Sequence, residues 1–145
     1  MRMFKENTML MFAYGLNTNL SQMSNRCPAA QSLGPAILSD HVFRFAQHAD
    51  VGKSADSCVY GVIWSITPEC LRVLDQLEAF PVYYNRRNKR VFFKDRVVQA
   101  VTYFMQPGHL PSLPSDEYFE TLLAGYEIHG ISTEQLHNAR DAVFL

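Results

Sequence analysis

Features that mark out several large functional classes are scarce in this sequence: an excess of one charge, a long apolar run, and cysteines at ligand spacing. Its 13 basic and 14 acidic residues leave a formal charge of -1, so no basic field is available to neutralise a phosphate backbone, and no nucleic-acid partner is expected. No stretch approaches the roughly 18 apolar residues that cross a bilayer, so no membrane insertion is expected either. The opening segment is interrupted by Lys5, Glu6 and Asn7 where a signal peptide needs an unbroken apolar core, and no targeting signal is read there. Cys27, Cys58 and Cys70 are odd in number and lack a Cys-x-x-Cys pair. That argues against a disulfide framework and a zinc ribbon, and suits a reducing, cytoplasmic setting.

Other absences narrow the chemistry. His41, His48, His109, His129 and His137 are scattered without ligand-like pairing, so no metal is expected, and no motif calls for a cofactor. Gly52-Lys53-Ser54 imitates the end of a phosphate-binding loop, but Gln47 stands where the first glycine is required. There is no Gly-x-Ser-x-Gly elbow and no framed cysteine for nucleophilic catalysis. Asn19-Leu20-Ser21 fits a glycosylation pattern, which carries no weight without secretion.

What is present suits one globular unit. With 145 residues, 48% of them hydrophobic, the chain can bury one sizeable core, and it shows no repeat or linker. Residues 1–145 are therefore read as a single domain. Met9–Tyr14 reads as a buried strand stopped by Gly15 and Asn17. Asn19 can cap a short helix that ends at Pro28, with Leu20, Met23 and Cys27 on one side. Strands are expected within Pro35–Ala46, and Gln47–Ser57 reads as a mobile loop, able to flank a site, that leads into a strand over Cys58–Ile66. Thr67, Pro68 and Glu69 start a helix that carries Leu71, Leu74 and Leu77 and runs to Glu78.

A hairpin turning at Lys94–Arg96 follows, then an irregular Pro-containing connector over Gln106–Ser115. Ser115 can cap a helix with Phe119, Leu122, Leu123 and Tyr126 on one face, stopped by Gly130, and Ser132–Ala142 adds a further helical segment. The most basic stretch, Arg86–Arg90, lies between apolar segments and is read as a solvated strand edge in preference to an anion-binding patch. The pattern is α+β.

Two segments can carry chemistry. Phe12–Leu20 places a strand end, a glycine turn and a helix start in succession, leaving backbone N–H groups that can bind a carboxylate; by spacing alone Gly15 and Asn17 are read, in preference, as residues that merely turn the chain. In Leu74–Arg86 a helix ends in acids, although a carboxylate at a helix C-terminus is badly placed in the dipole field. Glu78 there is either an exposed partner of Arg72 or Arg86, or a carboxyl whose pKa is raised in an apolar pocket, as a general acid or base near neutral pH requires.

Taken together, Tyr14-Gly-x-Asn17 after a first strand and Leu74-Asp-x-x-Glu78 before x-Tyr84-x-Arg86 resemble the γ-glutamylcyclotransferase-like family, to which the AIG2-like proteins are close. Tyr60-Gly61 ahead of the helix, and Pro114, Ser115, Tyr118, Gly125 and Gly130 later, extend the resemblance over roughly Met11–Ile131. It implies helices packed around a small, mixed, closed β-barrel, and a cofactor-free enzyme that cyclises a small-molecule γ-glutamyl amide to 5-oxoproline and a free amine. It further implies Glu78 as catalytic acid–base, Tyr14, Gly15, Leu16 and Asn17 as the carboxylate-binding loop, and Tyr84 and Tyr118 as pocket walls.

Two positions depart from that family's pattern. Leu16 stands where serine is usual, which removes a hydroxyl and keeps the backbone N–H. Ala79 stands where glycine usually follows the catalytic glutamate, which makes a positive φ costly there. These departures motivate a competing class, a binding module that keeps the pocket without turnover. A maturation enzyme removing a γ-glutamyl protecting group is a third possibility. The leaving amine and the oligomeric state are open.

Overall fold

The computed structural model describes residues 7–145. The absence of a targeting signal was read on a segment that includes residues 1–6, which lie outside the described residues. Five strands form the centre: β1 (Met9–Ala13), β2 (Gln31–Ala46), β3 (His48–Ile66), β4 (Tyr84–Phe93) and β5 (Arg96–Met105). They close into a barrel in the order β1-β3-β2-β4-β5. Four of the five junctions are antiparallel, while β1 meets β5 in parallel with Met11 opposite Val101, so the barrel is closed and mixed, as expected. The described helices are α1 (Leu20–Arg26), α2 (Pro68–Leu77), α3 (Asp116–Ile128) and α4 (Glu134–Ala142), with a 3-10 turn over Leu16–Thr18.

The helices begin where side chains satisfy free N–H groups. Asn19 accepts from Gln22 N–H, Thr67 from Cys70 N–H and Ser115 from Tyr118 N–H. Phe119, Leu122 and Tyr126 of α3 are buried with Met11, Phe12, Val62 and Ile63 of the barrel, which places the core between barrel and helices. Gly130, with φ +69, follows the end of α3. The expected hairpin is present, its turn made by Lys94 and Asp95. Along Arg86–Arg90, β4 is paired to β5 on one side and touches β2 only farther on, at Ile37 opposite Phe92; Arg87, Asn88 and Arg90 are exposed, as the solvated edge requires.

The structure corrects two readings. Gln47–Ser57 is not a mobile loop: Gln47 alone turns the chain, and His48–Ser57 is the first half of the long strand β3, paired with β2 from Ala46 opposite His48. Its polar residues misled because one of them is a buried structural group. Asp50 accepts from Met105 N–H at 2.8 Å and pairs with Arg44 Nε at 2.8 Å. Second, Cys27, just past α1, and Cys70, in α2, pair as a disulfide with Cα atoms 5.3 Å apart, while Cys58 is free and exposed. The partners are 43 residues apart, so local spacing gave no sign of them. The thiols therefore no longer argue for a reducing compartment. Among the described residues no helix is long and apolar enough to cross a membrane.

Candidate active site

At one end of the barrel a cavity of about 210 Å³ opens between β1, β3, β4, β5, the 3-10 turn and the end of α2. Glu78 terminates α2. Its N–H donates to Leu74 C=O at 2.8 Å, its C=O accepts from Tyr84 N–H at 3.3 Å, and its side chain lines the cavity. Neither suggested arginine pairs with it, because Arg72 is engaged by Glu69 and Arg86 by Asp75. Instead Asn17 Nδ2 donates to Glu78 Oε2 at 3.3 Å, and Arg26 Nη1 donates to Asn17 Oδ1 at 3.1 Å. Burial raises the Glu78 pKa; the Arg26 charge and the Asn17 hydrogen bond oppose it, and the net shift is upward from the ordinary 4.5.

Another wall is the loop that follows β1. Thr18 donates to Gly15 C=O through both N–H, at 3.0 Å, and Oγ1, at 2.7 Å, which closes the turn. The N–H groups of Gly15, Leu16 and Asn17 make no hydrogen bond among the described residues, leaving donors at the cavity wall. Glycine is needed at position 15 for space, since a Cβ there would lie 2.9 Å from Ala49 Cβ. Gly125 of α3 serves the same loop from outside: a Cβ would meet Thr18 Oγ1, and Asn19 N at 2.8 Å. Any larger residue would push α3 off the turn.

Tyrosines complete the walls, and each is held by its hydroxyl. Tyr14 donates to Tyr103 C=O at 2.7 Å, Tyr84 donates to Ala49 C=O, and Tyr118 accepts from Ala49 N–H at 3.0 Å. Tyr103 donates to Asp75 Oδ1 at 2.7 Å, and Asp75 also takes both Nε and Nη2 of Arg86, at 2.8 and 3.0 Å. The Leu-Asp-x-x-Glu and Tyr-x-Arg segments are thus joined physically, with Asp75 and Arg86 locking α2 to β4 while Glu78 and Tyr84 face the cavity. Burial raises the Tyr14, Tyr84, Tyr103 and Tyr118 pKa values, so the phenols stay neutral.

All the residues anticipated from sequence, Tyr14, Gly15, Leu16, Asn17, Glu78, Tyr84 and Tyr118, line this one cavity. Ala79 does adopt the left-handed conformation that its methyl disfavours, with φ +52. Sequence reasoning missed Arg26, His48, Tyr83 and Tyr103. Arg26 follows Met23 by three positions and so shares its inward face of α1, a spacing that could have found it. His48 lay in the supposed loop. Its Nδ1 is 2.8 Å from Tyr83 Oη, and burial lowers its pKa. Among the described residues no three His, Cys, Asp or Glu side chains group as a metal site would need.

The family model described as gamma-glutamyl cyclotransferase, AIG2-like, matches residues 11–120. The chain belongs to that family. Solved structures agree at the level of fold. A human protein described as uncharacterized protein loc79017 superposes with a TM-score of 0.83 at 23% identity, over 92% of this chain and 87% of that one. A gamma-glutamyl cyclotransferase does so with 0.83 at 22% identity, over 92% and 86%. An AIG2-like protein from Mus musculus gives 0.58 at 18% identity, over 78% and 83%. No curated protein matches the chain. In the loop of this cavity Leu16 packs its side chain against the core.

Proposed function

We propose that this protein is a γ-glutamylcyclotransferase-like enzyme that cyclises a small γ-glutamyl amide, with Glu78 as its single acid–base group. The observation that carries the reading is the placement of one carboxylate, its pKa raised by burial, in a cavity that is also lined by a loop with unpaired backbone N–H groups. Those donors suit the substrate carboxylate, and Tyr84 and Tyr118 shape the space around its side chain.

Glu78 accepts a proton from the substrate α-ammonium, and the freed amine attacks the side-chain amide carbon. A five-membered ring forms, the carbonyl oxygen carries the negative charge, and the bond to the leaving nitrogen breaks as that nitrogen is protonated through Glu78. Both protons lost by the α-nitrogen end on the leaving amine, so 5-oxoproline and a free amine result with no metal, redox partner or water consumed. Because attack is intramolecular, holding the substrate folded supplies much of the acceleration, and one positioned carboxylate serves both proton transfers.

The test incubates the purified protein with γ-glutamyl dipeptides, γ-glutamyl-lysine and glutathione and assays 5-oxoproline. Product that disappears with Glu78→Gln supports the reading. Bound γ-glutamyl ligand without product overturns it in favour of a binding module, the reading that Leu16 favours.

A further inference from the structure

Arg26 and Glu78 are the permanent cation and the carboxylate of the cavity lining, yet among the described residues no ion pair joins them. Asn17 stands between. Arginine has only donors to offer, so its Nη1 bond, at 3.1 Å, fixes Asn17 Oδ1 toward itself and turns Nδ2 to Glu78 Oε2, at 3.3 Å. With the arginine gone, the amide is free to rotate by half a turn and accept from the protonated carboxyl instead, so the hydrogen bond no longer favours the ionised form. Arg26 is itself held in place. The adjacent Cys27 donates its N–H to Met23 C=O at 2.8 Å and is bonded to Cys70 of α2, the helix that ends at Glu78.

We propose that Arg26 is a positioning residue for Glu78, acting through the Asn17 amide and through its own charge to keep the carboxylate oriented and ionised. This rests on the reading of Glu78 as the acid–base group. The other groups facing Glu78 do not supply that charge near neutral pH. Tyr14, just after β1, and Tyr83, before β4, are raised by burial, as are Tyr84, Tyr103 and Tyr118, and His48 of β3 is lowered by it. Asp50, which also faces Tyr14, Tyr83 and Tyr84, is bound to Arg44.

The first measurement needs no substrate. The Glu78 side-chain carboxyl is followed by carbon NMR against pH in wild type, Arg26→Gln and Arg26→Lys, with Glu78→Gln assigning the signal. The midpoint is expected to move upward in Arg26→Gln and to lie between the two in Arg26→Lys. In turnover assays, Arg26→Gln is expected to lose about tenfold or more in kcat with little change in KM, and the acid limb of its pH profile moves upward. An unchanged Glu78 midpoint overturns the proposal, as does a rise in KM with kcat intact, which would make Arg26 a substrate anchor. Should Arg26→Gln fail to fold, Arg26→Lys decides alone: lowered kcat with a displaced acid limb supports the proposal, wild-type behaviour overturns it. If the wild type releases no 5-oxoproline, the catalytic reading fails, while the NMR titration still decides what Arg26 does to Glu78.

Discussion

Glu78 is a carboxylate placed where its charge costs stability. Its folded pKa is raised above the ordinary 4.5, chiefly by burial, so between 4.5 and the folded midpoint the native state binds a proton that the unfolded chain has released. Its contribution to stability is therefore fully present below pH 4.5 and is lost as pH rises through the folded midpoint. Glu78→Gln, which removes the ionisation and keeps the shape, is expected to raise the melting temperature at pH 7–8 and to leave it unchanged near pH 4. The same substitution is expected to lower turnover by about 10²–10⁴-fold, the usual worth of a positioned acid–base group. Melting curves of both proteins across that pH range check the first claim, and a difference independent of pH would show that burial of the charge is not its origin. Activity and stability then pull in opposite directions on one atom pair. Ala79 adds to the same tension by taking φ +52 beside that acid.

α2 is the element that holds the site together: its first turn is bonded to Cys27, its last turn is clamped to β4 by Asp75, and its C-cap is Glu78. On the chain-entropy argument, closing a loop between residues 43 apart contributes about 4 kcal/mol. Reduction, or the Cys27→Ser, Cys70→Ser pair, is expected to lower the melting temperature by about 12 °C. In the native, non-reduced protein, thiol titration is expected to find one reactive group, the exposed Cys58. Three reactive thiols would deny the pairing. The helices were legible because capping and apolar spacing are local facts, as Thr67, Pro68 and the Phe119–Leu122–Tyr126 face show. The first half of β3 was not, because Asp50 looks like a loop residue until Arg44 and the Met105 N–H are seen to satisfy it. The disulfide was hidden for the same reason: what decides it is the packing of α1 on α2.

Closure of the barrel is a property of the whole molecule, and no periodicity announces it. The junction that shuts it, Met11 beside Val101, joins strands 90 positions apart, and only the resemblance carried by Tyr14–Asn17 and Leu74–Arg86 implied it. The cavity was legible to the same extent, through residues with a motif; Arg26 had only its helical spacing from Met23 to mark it, and His48, Tyr83 and Tyr103 reached it by tertiary folding alone. Because its walls come from segments between Met11 and Tyr118, a ligand seated there ties together strands and helices remote in sequence. Such a ligand stabilises the native state by RT ln(1 + [L]/Kd), about 2.7 kcal/mol at a hundredfold excess over Kd, which for a chain of 145 residues raises the melting temperature by about 8 °C. Glu78→Gln allows a γ-glutamyl amide to be used without being consumed. That variant is expected to show the rise with γ-glutamyl-lysine or glutathione and none with free lysine, since only the former bring a γ-glutamyl group to the loop donors. A flat response to every γ-glutamyl compound, at concentrations up to solubility, would separate the cavity from γ-glutamyl recognition whatever the fold.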